Sequence, residues 1–158
     1  MYIARMLYPV HVLGPGERAV IWMCGCDKNC PSCANPELQI RDERYCIPLN
    51  TIKEMIESLP EGVQGFTITG GEPFDQSEEL SELVKYMHKY TDDILIYSGY
   101  TYDELVCRRD SFTTEILNNI AALVDGRYID ELNNGNLIKG SDNQVLYIFN
   151  KKYEQEYR

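Results

Sequence analysis

Four cysteines, Cys24, Cys26, Cys30 and Cys33, fall within ten residues of a chain that contains six. Thiols this dense have three common uses: a disulfide, a structural zinc site or an iron–sulfur cluster. Cys26, Cys30 and Cys33 are spaced C-x3-C-x2-C. A structural zinc site closes four ligands, as a rule two well-spaced pairs of Cys or His. No second pair follows here, and His11 and His88 lie far off in sequence. Three thiolates on a cubane cluster leave one iron open, the iron–sulfur counterpart of the open position on a catalytic zinc. The triplet therefore has the right number of ligands for a cluster that works on a bound molecule. Cys24 is open to two readings. It stands two residues before Cys26 at the end of a strand, so it shares a side with Cys26 if the strand continues and could be a fourth ligand. A strand cysteine is more often a small core residue. Cys46 and Cys107 are isolated and read as structural or free thiols.

A second stretch, "TGGEP" from Thr69 to Pro73, ends the next apolar run. Two glycines let a backbone approach a ligand closely, and Glu72 offers a carboxylate to a cationic group. Taken alone, the stretch reads equally well as a turn that begins a helix.

The elements that must hold these residues alternate along the chain. A strand is expected over Arg18–Cys24, after the turn signal "GPG" at Gly14–Gly16. A polar loop then carries the cysteines to about Asn50. The spacing of Ile52, Met55, Ile56 and Leu59 predicts a helix over 51–59, with Thr51 and Glu54 as a capping box and Pro60 beyond its end. Strands follow over Gly65–Thr69, Asp93–Tyr97, Ala121–Val124 and Val145–Phe149. Helical patterns lie between them over Asp75–Tyr90 and from Thr101 to about Ile120, the latter broken near Asp110. Such alternation implies an α/β fold with a parallel sheet and right-handed crossovers. Ligands on these sheets bind beyond the carboxyl ends of the strands. That rule brings four loops to one edge: the cysteine loop, "GGEPF", "SGY" and "DGRY".

The 158 residues suit one domain, 1–158, and the composition (44% hydrophobic, 25% charged) is that of a soluble globular chain. A net charge of -10 argues against nucleic-acid binding, which needs a basic patch for phosphates. No stretch approaches the roughly 20 apolar residues of a membrane span. The N-terminal "MYIARMLYPVHVLG" lacks the marks of a signal peptide. A cytoplasmic location is expected, and there a tight cysteine cluster binds metal or does catalysis more often than it forms a disulfide.

The triplet followed by "TGGEP" resembles the radical S-adenosylmethionine superfamily. A narrower resemblance covers nearly the whole chain. "GPGERAVIWMCGCDKNCPSCANPE", "TITGGEPFDQ", "IYSGYTYDEL", "LVDGRYIDEL" and "KGSDNQ" are similar to segments of the activating proteins of anaerobic ribonucleotide reductase, which are small glycyl-radical activases. The resemblance implies a compact partial (βα) barrel-like sheet of the radical S-adenosylmethionine type and an oxidoreductase activity. It implies a [4Fe–4S] cluster on Cys26, Cys30 and Cys33, with S-adenosylmethionine chelating the fourth iron. Gly70, Gly71 and Glu72 would orient the methionine end, with Glu72 facing the ammonium group. Ser98 and Gly99 would serve the ribose or carboxylate, and Asp125 and Gly126 would line the site nearer the substrate. Reductive cleavage would yield a 5′-deoxyadenosyl radical that takes hydrogen from a glycine Cα of a partner. Anaerobic ribonucleoside-triphosphate reductase is the foremost candidate for that partner, and a flavodoxin or ferredoxin for the electron donor. Two departures from the pattern stand out: Ser32, where the reductase activases often carry glycine, and Cys24, where other residues are common. Two alternatives are a radical enzyme acting on a peptide or small metabolite, and a non-catalytic zinc or iron–sulfur module. The short chain argues against the first, and the second leaves Gly70-Gly71-Glu72 without a role.

Overall fold

The computed structural model describes residues 1–158. Six strands form one sheet in chain order: β1 (Ile3–Val10), β2 (Arg18–Met23), β3 (Gly65–Gly70), β4 (Ile94–Tyr97), β5 (Ala122–Asp125) and β6 (Val145–Ile148). β2 through β5 pair in parallel, and β1 and β6 flank them antiparallel. The parallel centre is as expected; the two antiparallel edges correct the all-parallel reading. β1 escaped that reading because Arg5 and Pro9 interrupt its apolar residues, although buried and more exposed positions alternate along it. β6 runs antiparallel because no α-helix separates it from β5, only a single 3-10 turn at Asp130–Leu132. A parallel return needs a crossover, whereas an antiparallel one needs only a loop.

The helices are α1 (Leu49–Glu57), α2 (Ser77–Met87), α3 (Tyr102–Cys107), α4 (Ser111–Asn119) and α5 (Glu154–Tyr157). The expected capping box at Thr51 and Glu54 is absent, because α1 begins two residues earlier, after Pro48, and puts Thr51 inside its first turn. A complete capping box forms instead at Thr101 and Glu104 at the head of α3. The break near Asp110 is a second cap: its carboxylate accepts from the Thr113 amide and starts α4.

Alternate strand residues face opposite sides, and here the two sides differ in kind. Ile21, Ile68, Ile96 and Leu123 point into a 21-residue core shared with Ile56 of α1, Leu83 of α2, Leu105 of α3 and Ile116 of α4. The other face carries two small clusters, one of Val20, Trp22 and Leu38 and one of Leu95, Ala122, Val124 and Tyr157.

The sheet's N-terminal end is sealed by a buried ion pair. Arg18 is fully buried, and its Nη1 lies 2.6 Å from Asp93 Oδ2. Its other nitrogens donate to Thr67 Oγ1 (2.7 Å) and the Phe66 carbonyl (2.7 Å), and the Tyr157 hydroxyl donates to Asp93 Oδ1 (2.6 Å). A Cβ at Gly65 would sit 2.2 Å from Arg18 Nη1, so glycine is what makes room for the guanidinium.

Candidate active site

A cavity of about 410 Å³ opens at the carboxyl ends of the parallel strands. Cys26, Cys30 and Cys33 line it, as do Gly70, Gly71, Glu72, Ser98 and Gly99. Three loops that are distant in sequence thus meet in one space, as the parallel order of the strands requires.

The cysteine loop leaves β2 at Cys24. That residue is fully buried, and its thiol donates to the Ile40 carbonyl at 3.0 Å, away from the cavity. Cys26, Cys30 and Cys33 are half-buried, and all six thiols are free. Burial pushes the Cys26 thiol up from its ordinary value. The loop is pinned where Gly25 and Cys26 donate to the Leu38 and Gln39 carbonyls, both at 2.8 Å. Its turns place Asn29 at φ +48° and Ser32 at φ +56°. This left-handed region is uncommon for residues with a side chain. It gives the physical reason why a glycine is at home where this chain has Ser32.

No three His, Cys, Asp or Glu side chains converge tightly enough to hold a single metal ion. The three thiols instead stand around a shared space. That suits a polynuclear cluster, in which each thiolate binds its own iron.

The glycines of "TGGEP" answer to the backbone. Gly70 has φ +97°, and a Cβ there would fall 2.6 Å from the Met23 carbonyl oxygen. A Cβ on Gly71 would fall 2.4 Å from the Gly25 carbonyl oxygen. Their bareness lets the end of β3 hydrogen-bond to the root of the cysteine loop, Gly71 N to Met23 O (2.7 Å) and Glu72 N to Gly25 O (2.8 Å). Both glycines also line the cavity, so the same bareness keeps the backbone close to whatever occupies it.

Glu72 is only 1% exposed. Its Oε1 accepts from Ser98 Oγ (2.8 Å) and the Phe74 amide (3.1 Å), and its Oε2 from the Gly99 amide (2.8 Å). All three donors are neutral, and Glu72 takes part in none of the nine ion pairs. Burial therefore outweighs the hydrogen bonds and lifts its carboxyl to about 7. Ser98 and Gly99 meet Glu72 directly, which makes them its supports.

Of the two residues placed nearer the substrate, Gly126 lines the cavity and Asp125 does not. The Asp125 carboxylate accepts from the Tyr102 amide (2.6 Å) and the Val145 amide (3.1 Å), joining the head of α3 to β6. The site reading of Asp125 is corrected accordingly: main-chain donors, not solvent or ligand, occupy it. The 126–144 segment forms a further wall of the cavity. Gln144 fastens it, accepting from the Gly140 amide and donating to the Gly126 carbonyl, each at 2.8 Å. The "KGSDNQ" segment was the available signal, but its composition alone says only "turn".

A family model described as a 4Fe-4S single cluster domain matches residues 12–147. The anaerobic ribonucleoside-triphosphate reductase-activating protein of Enterobacteria phage T4 is 32% identical over 147 residues, covering 89% of this chain and 90% of that protein. The protein of the same name from Escherichia coli K12 is 27% identical over 150 residues, covering 89% and 94%. A putative glycyl-radical enzyme activating enzyme of Haemophilus influenzae is 27% identical over 129 residues, covering 73% and 48%.

Proposed function

This chain belongs to the family of anaerobic ribonucleoside-triphosphate reductase-activating proteins and carries the 4Fe-4S single cluster domain, and from that premise we propose how its residues serve a glycyl-radical activase. Cys26, Cys30 and Cys33 hold the [4Fe–4S] cluster. The donor set fits it: three uncrosslinked, half-buried thiols line one cavity together with a buried carboxylate. A reduced cluster held there would supply the one electron needed to cleave S-adenosylmethionine into methionine and a 5′-deoxyadenosyl radical.

The chain's own residues bind and orient. A carboxylate offers about four lone-pair positions, and three on Glu72 are taken by Ser98, Phe74 and Gly99. The position left on Oε2 accepts from the ammonium group of S-adenosylmethionine. Ser98 and Gly99 act by holding that carboxylate still. Gly70 and Gly71 fix the spacing between it and the cysteine loop. The cation supplies the charge that Glu72 lacks in the free chain, and its arrival draws a proton off the carboxyl below about pH 7.

The target is a glycine Cα of an anaerobic ribonucleotide reductase, and a flavodoxin- or ferredoxin-like protein brings the electron. Residues 1–158 act as one domain in the cytoplasm, of the partial (βα) barrel kind. That reading is supported by the adjacent parallel order of β2 to β5 and the gathering of α1–α4 on one face of the sheet. The observation that carries the function is the convergence of three thiols and an uncompensated buried carboxylate on one cavity. The reduced, reconstituted chain should be incubated anaerobically with S-adenosylmethionine and the reductase. A glycyl-radical doublet on the reductase, with scission at that glycine on exposure to air, is the expected result. Brisk 5′-deoxyadenosine release without a protein partner, and no radical on the reductase, would overturn it.

A further inference from the structure

We propose that Lys28 and Tyr100 form a clasp that fixes the cysteine loop to the Glu72 loop and holds a positive charge beside the cluster, easing its reduction. This rests on the assignment of Cys26, Cys30 and Cys33 as cluster ligands. Lys28 lies two residues from both Cys26 and Cys30. Its ammonium nitrogen is 2.9 Å from the centre of the Tyr100 ring, and the Arg108 guanidinium carbon is 3.9 Å from that centre. Aromatic faces attract cations, more strongly where water is excluded.

The ring is itself held from several sides. The Tyr100 hydroxyl donates to Asp75 Oδ1 (2.9 Å), and its amide donates to Ser98 Oγ (3.1 Å). Its carbonyl accepts from the Gly126 amide (3.0 Å). Through Lys28, Asp75, Ser98 and Gly126, one aromatic residue touches the loops that follow all four parallel strands. The fit around Lys28 is close. A Cβ on Gly99 would lie 3.2 Å from its Cγ, and Arg127 Nη1 reaches its carbonyl at 3.5 Å.

The two cations differ in one respect. Arg108 is partnered by Asp75 at 3.6 Å, whereas Lys28 forms no ion pair. Its charge reaches the Glu104 carboxylate from beyond ion-pair distance, and the residue lines the same cavity as Cys26, Cys30 and Cys33. Reduction adds one negative charge to the cluster, and a fixed neighbouring cation favours the more negative form. Without the ring the flexible ammonium would swing into water, where its influence is screened. Lys28 and Tyr100 are thus positioning residues for the electron-transfer step.

The test is a redox titration followed by electron paramagnetic resonance on reconstituted wild type, Lys28→Met, Lys28→Arg, Tyr100→Phe and Tyr100→Leu, after iron content is measured. Lys28→Met should shift the one-electron equilibrium about tenfold against reduction, equal to about 59 mV for a one-electron couple. Lys28→Arg and Tyr100→Phe keep the charge and the ring and should stay near wild type; Tyr100→Leu should lose part of the same shift. A Lys28→Met midpoint equal to wild type overturns the proposal, and so does an equal fall in Lys28→Met and Lys28→Arg. If Lys28→Met takes up no iron, the tyrosine pair decides, and equal midpoints for Tyr100→Leu and Tyr100→Phe overturn it. Wild type that binds no iron would instead overturn the cluster assignment beneath it.

Discussion

The two ends of the parallel sheet each bury a carboxylate, and they treat it in opposite ways. At the N-terminal end, Asp93 (4% exposed) faces Arg18; Arg18 also donates to Thr67 Oγ1 and the Phe66 carbonyl, and Asp93 accepts from the Tyr157 hydroxyl. At the carboxyl end, Glu72 (1% exposed) meets only neutral donors. A buried charge that is paired and hydrogen-bonded belongs to the architecture, whereas breaking such a pair leaves the survivor stranded. A buried carboxylate without a cation is destabilising by itself. Asp125 is likewise buried without a cation, but two amides fill it and it stands off the cavity, whereas Glu72 lines the cavity. On the function proposed above, a ligand's cation completes the electrostatics there.

The contrast is broken most forcefully at the sealed end. Arg18→Met strands Asp93 and should cost about 3–5 kcal/mol of stability, read from urea unfolding. Glu72→Gln keeps the shape at the other end and removes only the charge. It should leave the cluster in place and weaken S-adenosylmethionine binding about ten- to a hundredfold, the equivalent of roughly 1.5–3 kcal/mol for a charge-assisted hydrogen bond. Titration against the reduced cluster's resonance signal reads that change.

The same residue makes stability depend on pH. The folded-state value of Glu72 is raised from 4.5 to about 7, so its contribution is fully present below 4.5 and is lost as pH rises through 7. In that window the folded chain holds a proton that the unfolded chain has released. The fall should reach about 3 kcal/mol, at 1.36 kcal/mol per pH unit. Unfolding of the ligand-free chain across pH should show it in wild type, and Glu72→Gln should flatten it.

Asp125→Asn gives the smallest effect. It weakens two main-chain contacts between α3 and β6 and should cost about 1 kcal/mol, with S-adenosylmethionine affinity unchanged. A large loss of affinity would return Asp125 to the site.

Much of the site was legible because alternating strands and helices force successive loops to one edge. That is why Cys26, Cys30, Cys33, Glu72, Ser98 and Gly99, spread over three loops, line one cavity. What stayed hidden depends on partners far away in sequence. Nothing in "TGGEP" itself shows that a side chain at Gly70 or Gly71 would meet the Met23 and Gly25 backbones. Asp125 looked available because its acceptors are filled by amides 23 residues before it and 20 residues after it. The direction of β6 turned on a missing crossover helix. Lys28 and Tyr100 stand in separate motifs, and only folding sets one upon the other.

Cys24 and Cys30 restate the contrast between sealed and open residues inside one loop. Iron and sulfide should be counted after anaerobic reconstitution of wild type, Cys24→Ala and Cys30→Ala. Wild type and Cys24→Ala should each hold about four irons and four sulfides per chain, and Cys30→Ala should hold none. Loss of the cluster in Cys24→Ala as complete as in Cys30→Ala would contradict the three-thiol site.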